Sequence, residues 1–114
     1  MKEKILLIRT DLAMIKNAMG SYRKTQAGYQ LRLFDIAFNK VTQSRSFIEL
    51  DGMEMIYIYR SLNLHAQRLS KRGKMIEAEH YYSLSSWMNI TRERFQRKYG
   101  PKTTKTASAG TLTA

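Results

Sequence analysis

The strongest constraint on this chain is a seam of apolar residues that runs into a glycine and out again. Met55, Tyr59, Leu62, Ala66 and Leu69 recur at spacings of four and three, the stripe of a helix packed nearly antiparallel to a neighbour. Lys71 and Arg72 follow, then Gly73. A glycine there takes the left-handed turn that ends a helix, and the cations meet its open carbonyls. Beyond it Ala78, Tyr81, Leu84, Met88 and Phe95 are spaced by three, four and seven, with Thr91 completing the seam. The pattern predicts an antiparallel hairpin of helices over about 51–72 and 74–99, turning at Gly73. Gly100-Pro101 ends it, since proline disfavours helical geometry in the residue before it.

The first half repeats the theme more loosely. Thr10-Asp11 precedes Leu12, Ile15, Ala18, Met19 and Tyr22, which predicts a helix from about Asp11 to Lys24 with Asp11 as its cap. Gly20 lies inside that helix and weakens it by roughly 1 kcal/mol relative to alanine. Gly28 breaks the chain, after which Tyr29, Leu33, Ile36, Ala37 and Val41 share one stripe and Leu31, Phe34 and Phe38 the next. A helix apolar over so much of its circumference sits centrally or offers a second face to a partner, a second copy included. Thr42 to Ser46 reads as a loop. Ile5 to Ile8 and Phe47 to Leu50 are short apolar runs that fit small strands, the former equally an early turn of helix. An apolar tetrad and an amphipathic helix therefore occur twice, with Leu12, Ile15, Ala18 and Met19 aligning on Met55, Ile58, Ser61 and Leu62.

The expected fold is all-α, with one or two very short strands allowed: a small four-helix bundle or two packed helical hairpins. Residues 1–100 form one domain, and 101–114, rich in Lys, Thr and Ala, read as a disordered tail. Gly73 to Tyr82 resembles the second helix of a tetratricopeptide-type hairpin, without the rest of that repeat's pattern.

Several chemistries find no support. The chain has no cysteine, which removes disulfides, thiolate metal sites and thiol nucleophiles and suits a reducing compartment. Four apolar residues at Ile5 to Ile8 are too few for a signal peptide, and nothing approaches a membrane span. A cytoplasmic protein is expected. Glu77 and His80 make one Glu-x-x-His pair where di-iron bundles use two with further glutamates, and His65 lies on another helix. Ser61, Ser70, Ser83, Ser85 and Ser86 lack the turn that presents a nucleophile. No glycine loop cradles phosphate, and Asn89-Ile90-Thr91 is a chance glycosylation match inside a helix. No enzyme, cofactor or metal is expected.

What remains is charge: 20 Lys and Arg against 9 Asp and Glu, a net +11. Residues 1–59 hold 9 basic and 6 acidic side chains, residues 60–114 hold 11 and 3. Arg68, Lys71, Arg72 and Lys74 surround the hairpin turn, while Arg92, Arg94, Arg97 and Lys98 crowd the far end, with Lys102 and Lys105 beyond. Arginine is as frequent as lysine, which suits planar contacts with phosphate or carboxylate. Tyr81, Tyr82, Trp87, Phe95 and Tyr99 lie near enough to stack on bases, although most also fit the core stripe. The expectation is a non-enzymatic protein that binds a polyanion, foremost nucleic-acid backbone with little sequence readout. The alternative is a small inhibitor or adaptor, of the kind phages and mobile elements carry, that binds an acidic protein or a nucleoprotein complex.

Overall fold

A computed structural model describes residues 1–100. Its elements run β1 (Glu3–Leu6), α1 (Arg9–Arg23), α2 (Gly28–Gln43), β2 (Phe47–Leu50), α3 (Gly52–Lys71) and α4 (Met75–Tyr99). The fold is all-α apart from one small antiparallel ribbon, in which Ile5 pairs with Ile48 and Leu6 with Phe47. The tail expected at 101–114 lies outside the described residues.

The α3–α4 hairpin is as the seam requires. Met55, Leu62, Ala66 and Met88 are fully buried, with Leu69 and Leu84 nearly so. Gly73 stands at φ 81°, and the amide of Lys74 donates to the Leu69 carbonyl at 2.9 Å, closing the turn. Ser85 Oγ donates to the Tyr59 carbonyl at 2.8 Å and ties the two helices at mid-length.

Each half of the described chain is a strand followed by two helices. At an offset of 43 residues Ile5 matches Ile48, Leu7 matches Leu50, and Leu12, Ile15, Ala18 and Met19 match Met55, Ile58, Ser61 and Leu62. Every one of these side chains is buried. Ser61 is tolerated in the core because its hydroxyl donates to the Tyr57 carbonyl at 2.7 Å.

The same offset corrects the expected start of α1. Asp51 is a true cap: it accepts from the Glu54 amide at 2.8 Å while the Glu54 side chain accepts from the Asp51 amide at 2.9 Å, a complete capping box. Its counterpart in the first half is Ile8, not Asp11. Ile8 takes the extended cap conformation without a side-chain bond, and Asp11 sits inside the first turn at the place Glu54 holds in α3. An acidic residue there still favours the positive end of the helix.

Two further expectations shift. The loop shortens to residues 44–46 because α2 continues to Gln43. On α2 the inward line is Phe34, Ala37 and Val41, whereas Tyr29 and Ile36, expected on the buried stripe, face outward at 70% and 53% exposure. Phe34 meets Tyr57 edge-on at 5.6 Å and Tyr22 at 5.7 Å between ring centroids, so the helix is already packed on its aromatic side. Among the described residues no helix is long and apolar enough to cross a membrane.

Candidate polyanion-binding surface

Helix α4 is the outermost rod of the molecule, and its 25 residues extend about 36 Å at 1.5 Å per residue. That length separates two clusters of cations. Lys71, Arg72 and Lys74 lie exposed around the Gly73 turn, and Arg94, Arg97 and Lys98 lie exposed on the last turns of α4. The structure brings together the members within each group and keeps the groups at opposite ends of the hairpin.

Arg68 and Arg92 stand apart from the other six, of which Lys98 also lies near a ring of its own protein, Nζ 5.1 Å from the Tyr99 centroid. Arg68 Nη1 donates to Ser21 Oγ at 2.9 Å, joining α3 to α1. Arg92 Nε donates to Asn89 Oδ1 at 3.1 Å, its guanidinium lies 5.9 Å from the centroid of the Tyr59 ring, and Glu93 approaches to 3.9 Å. Both guanidinium groups are half-buried and engaged by their own protein. Sequence spacing cannot separate them from their free neighbours, because Ser21 and Tyr59 arrive from other elements.

Ion pairing within the described residues consumes few cations. Besides Arg92 these are Arg23, bidentate to Asp35 at 2.8 and 3.0 Å, and Lys40, 2.8 Å from Glu54. The Arg23 hydrogen bond, helped by its charge, holds the Asp35 carboxyl below the usual carboxylate range. Burial works against charge on Lys40, yet its bond to Glu54 and that carboxylate's charge outweigh burial and raise its pKa.

Between the two clusters α4 presents a continuous outward ridge. Glu79, Ser83, Ser86, Ile90, Arg94 and Arg97 follow one another at helical spacing, and all are exposed. Tyr82 and Trp87 flank this line at 37% and 40% exposure. A shallow depression of about 750 Å³ spreads over this stretch, and a second of about 440 Å³ runs from Trp87 to the start of α1 at Thr10 and Asp11. The serine hydroxyls and Ile90 are not conspicuous in the sequence; the 3.6-residue period from Arg94 backward is the signal that picks them out.

The remaining aromatics turn inward. Phe95 is buried with the Tyr99 ring 5.0 Å away, and Tyr81 accepts a hydrogen bond from Asn17 at 3.0 Å and packs edge-on against His65 at 4.6 Å. Of the five considered for stacking, only Tyr82 and Trp87 are exposed. The Asn17 amide also reaches His65 Nε2 at 3.4 Å, while His65 Nδ1 is buried without a partner among the described residues. Burial, reinforced by the charges of Arg68 and Arg72, pushes the His65 pKa down and keeps the ring neutral.

Glu77 and His80 are both exposed. Among the described residues no three His, Asp or Glu side chains converge as metal ligands would. Compared with protein-family models, curated proteins and solved structures, the chain matches none.

Proposed function

We propose that this is a non-enzymatic cytoplasmic protein that binds the phosphate backbone of nucleic acid with little sequence discrimination. The surface used is the outer ridge of α4 and the turn before it. Lys71, Arg72, Lys74, Arg94, Arg97 and Lys98 supply the charge, Ser83 and Ser86 lie between the two clusters as neutral donors, and Trp87 and Tyr82 offer ring faces to unpaired bases. One observation carries the reading: all six cations are exposed, and none has a carboxylate within ion-pair distance among the described residues. Six unpaired cations against exposed Glu77, Glu79 and Glu93 leave this surface net positive, and such a surface attracts a polyanion and repels other cationic surfaces.

Phosphate binding of this kind makes a quantitative statement about salt. Six phosphates neutralised on a duplex release their counterions, and log affinity then falls against log salt with a slope of about −5. Fluorescence anisotropy with a labelled duplex of arbitrary sequence, across a salt series, measures that slope directly. An unrelated sequence of equal length binds equally well on this reading.

A second reading has its own support in Ile90 and Trp87, which are 47% and 40% exposed on the same ridge. Apolar side chains set among cations also suit an acidic protein partner, so that the chain acts as an inhibitor or adaptor of an acidic protein or a nucleoprotein complex. Salt dependence separates the two. A ridge that serves an acidic protein leaves duplex binding weak at physiological salt, with a slope near −1.

A further inference from the structure

The β1–β2 ribbon buries one face in the core and leaves two apolar side chains exposed on the other. Ile5, Ile48 and Leu50 point into the core. The outward side chains of the two strands are Lys4, Leu6, Phe47 and Glu49, and Leu6 stays 75% exposed, Phe47 46%, with Ile8 just beyond β1 at 66%. Leu6 and Phe47 are direct partners in the ladder, so their side chains form one patch rather than scattered contacts with water. Contiguous exposed apolar side chains rimmed by charge mark an interaction surface.

Charge narrows the choice of cover. A chain of net charge +11 repels a second copy of itself over most of its surface. The ribbon's outer face is an exception, since its one cation, Lys4, stands directly across the ladder from its one anion, Glu49. It is also self-complementary. A two-fold axis parallel to the strands, midway between them, lays β1 of each copy over β2 of the other. Lys4 then faces Glu49, and Leu6 faces Phe47, twice over. We infer that the outer face of the β1–β2 ribbon is the interface of a homodimer, built as two ribbons packed face to face about this axis.

An isologous contact of this kind buries the apolar pair at its centre and keeps the opposite charges at its rim. It leaves the outer ridge of α4 free. The inference is independent of the anion-binding reading, because it uses a different face and a different kind of force. The interface does not use α2, whose Phe34, Ala37 and Val41 are buried within the chain while Tyr29 and Ile36 stay exposed.

Sedimentation equilibrium of the full chain tests it. The wild type is expected to sediment at twice its 13.3 kDa at micromolar concentration, with far-ultraviolet circular dichroism as a check on folding. Leu6→Lys, a change at an exposed side chain, leaves the spectrum unchanged and weakens association about tenfold or more. Lys4→Glu alone and Glu49→Lys alone each weaken it, and the double exchange Lys4→Glu/Glu49→Lys restores it, because the two-fold sets these residues against each other. A wild type that remains at 13.3 kDa at high concentration overturns the proposal and leaves the face to a different protein. A dimer indifferent to Leu6→Lys, or single exchanges that the double does not rescue, overturns it equally.

Discussion

Replacing Glu54 should be the most damaging single change at a polar residue in this protein. Its carboxylate is 8% exposed and within 2.8 Å of Lys40 Nζ, itself 26% exposed, and it also accepts the Asp51 amide at 2.9 Å. Lys40 in turn donates to the Glu49 carbonyl at 3.2 Å. One side chain therefore joins the end of β2, the start of α3 and the last turn of α2. Glu54→Ala removes a capping-box bond, about 1 kcal/mol, and strands a lysine in a partly buried site. Breaking a buried pair costs about 3–5 kcal/mol. Lys40 keeps a quarter of its exposure and can turn toward water, which places the total near the lower end, about 3 kcal/mol. Glu54→Gln keeps an acceptor for the Asp51 amide and loses only the charge assistance, about 1.5–2 kcal/mol. Urea denaturation at neutral pH measures both, and for a domain of this size about 3 kcal/mol corresponds to a drop in Tm of about 12–24 °C. A double-mutant cycle with Lys40→Met isolates the pair, and a coupling above about 1 kcal/mol is expected. If Glu54→Ala costs less than about 1 kcal/mol, or the cycle shows no coupling, the junction is not held together in this way.

Other expected outcomes concern separate parts of the fold. Gly20→Ala should stabilise by about 0.5–1 kcal/mol, since the added Cβ meets only Phe38 Cζ at 3.9 Å, an ordinary contact. At the turn, Gly73→Ala should destabilise by about 1 kcal/mol because φ is 81°; thermal melts read both signs. Stability should decline as pH is lowered from neutrality, because the His65 pKa is depressed by burial and by Arg68 and Arg72. The unfolded chain takes up the proton first, so stability is full above about 6.5 and is lost as pH falls through the lower folded value. His65→Phe should flatten this part of the urea-midpoint profile. Arg68→Ala should lower the Tm through the lost Ser21 bond, whereas Arg94→Ala and Arg97→Ala should leave it within about 0.5 kcal/mol of wild type.

The hairpin is legible in the sequence because its signals are local: the seam from Met55 to Phe95, the glycine between its halves and the Asp51 cap all lie within one or two turns of what they govern. The ribbon is harder to read. A four-residue apolar run such as Ile5 to Ile8 suits a strand or a helical turn, and the partner that decides, Phe47 to Leu50, lies 42 residues away. Asp11 misleads for a related reason, since an acid in the first turn and an acid at the cap look alike until the backbone of Ile8 is placed. At the candidate surface the positions of the cations are plain from spacing alone. Which of them are engaged is not, for Arg68 and Arg92 are distinguished from Arg94 and Arg97 only by Ser21, Asn89 and Tyr59, and two of those three belong to other helices. Ser83, Ser86 and Ile90 are inconspicuous by type, and only the 3.6-residue period counted back from Arg94 sets them on the same ridge.

The proposed binding depends on the exposed cations of α4 and its preceding turn. The measurement that tests it most directly is the salt dependence of duplex binding by the wild type and by Arg94→Glu/Arg97→Glu, with circular dichroism on both. A wild-type slope of about −5 is expected, shrinking to about −3.6 in the variant, at unchanged helicity and Tm. A slope near zero, or a variant that binds as tightly and with the same salt dependence as wild type, contradicts it.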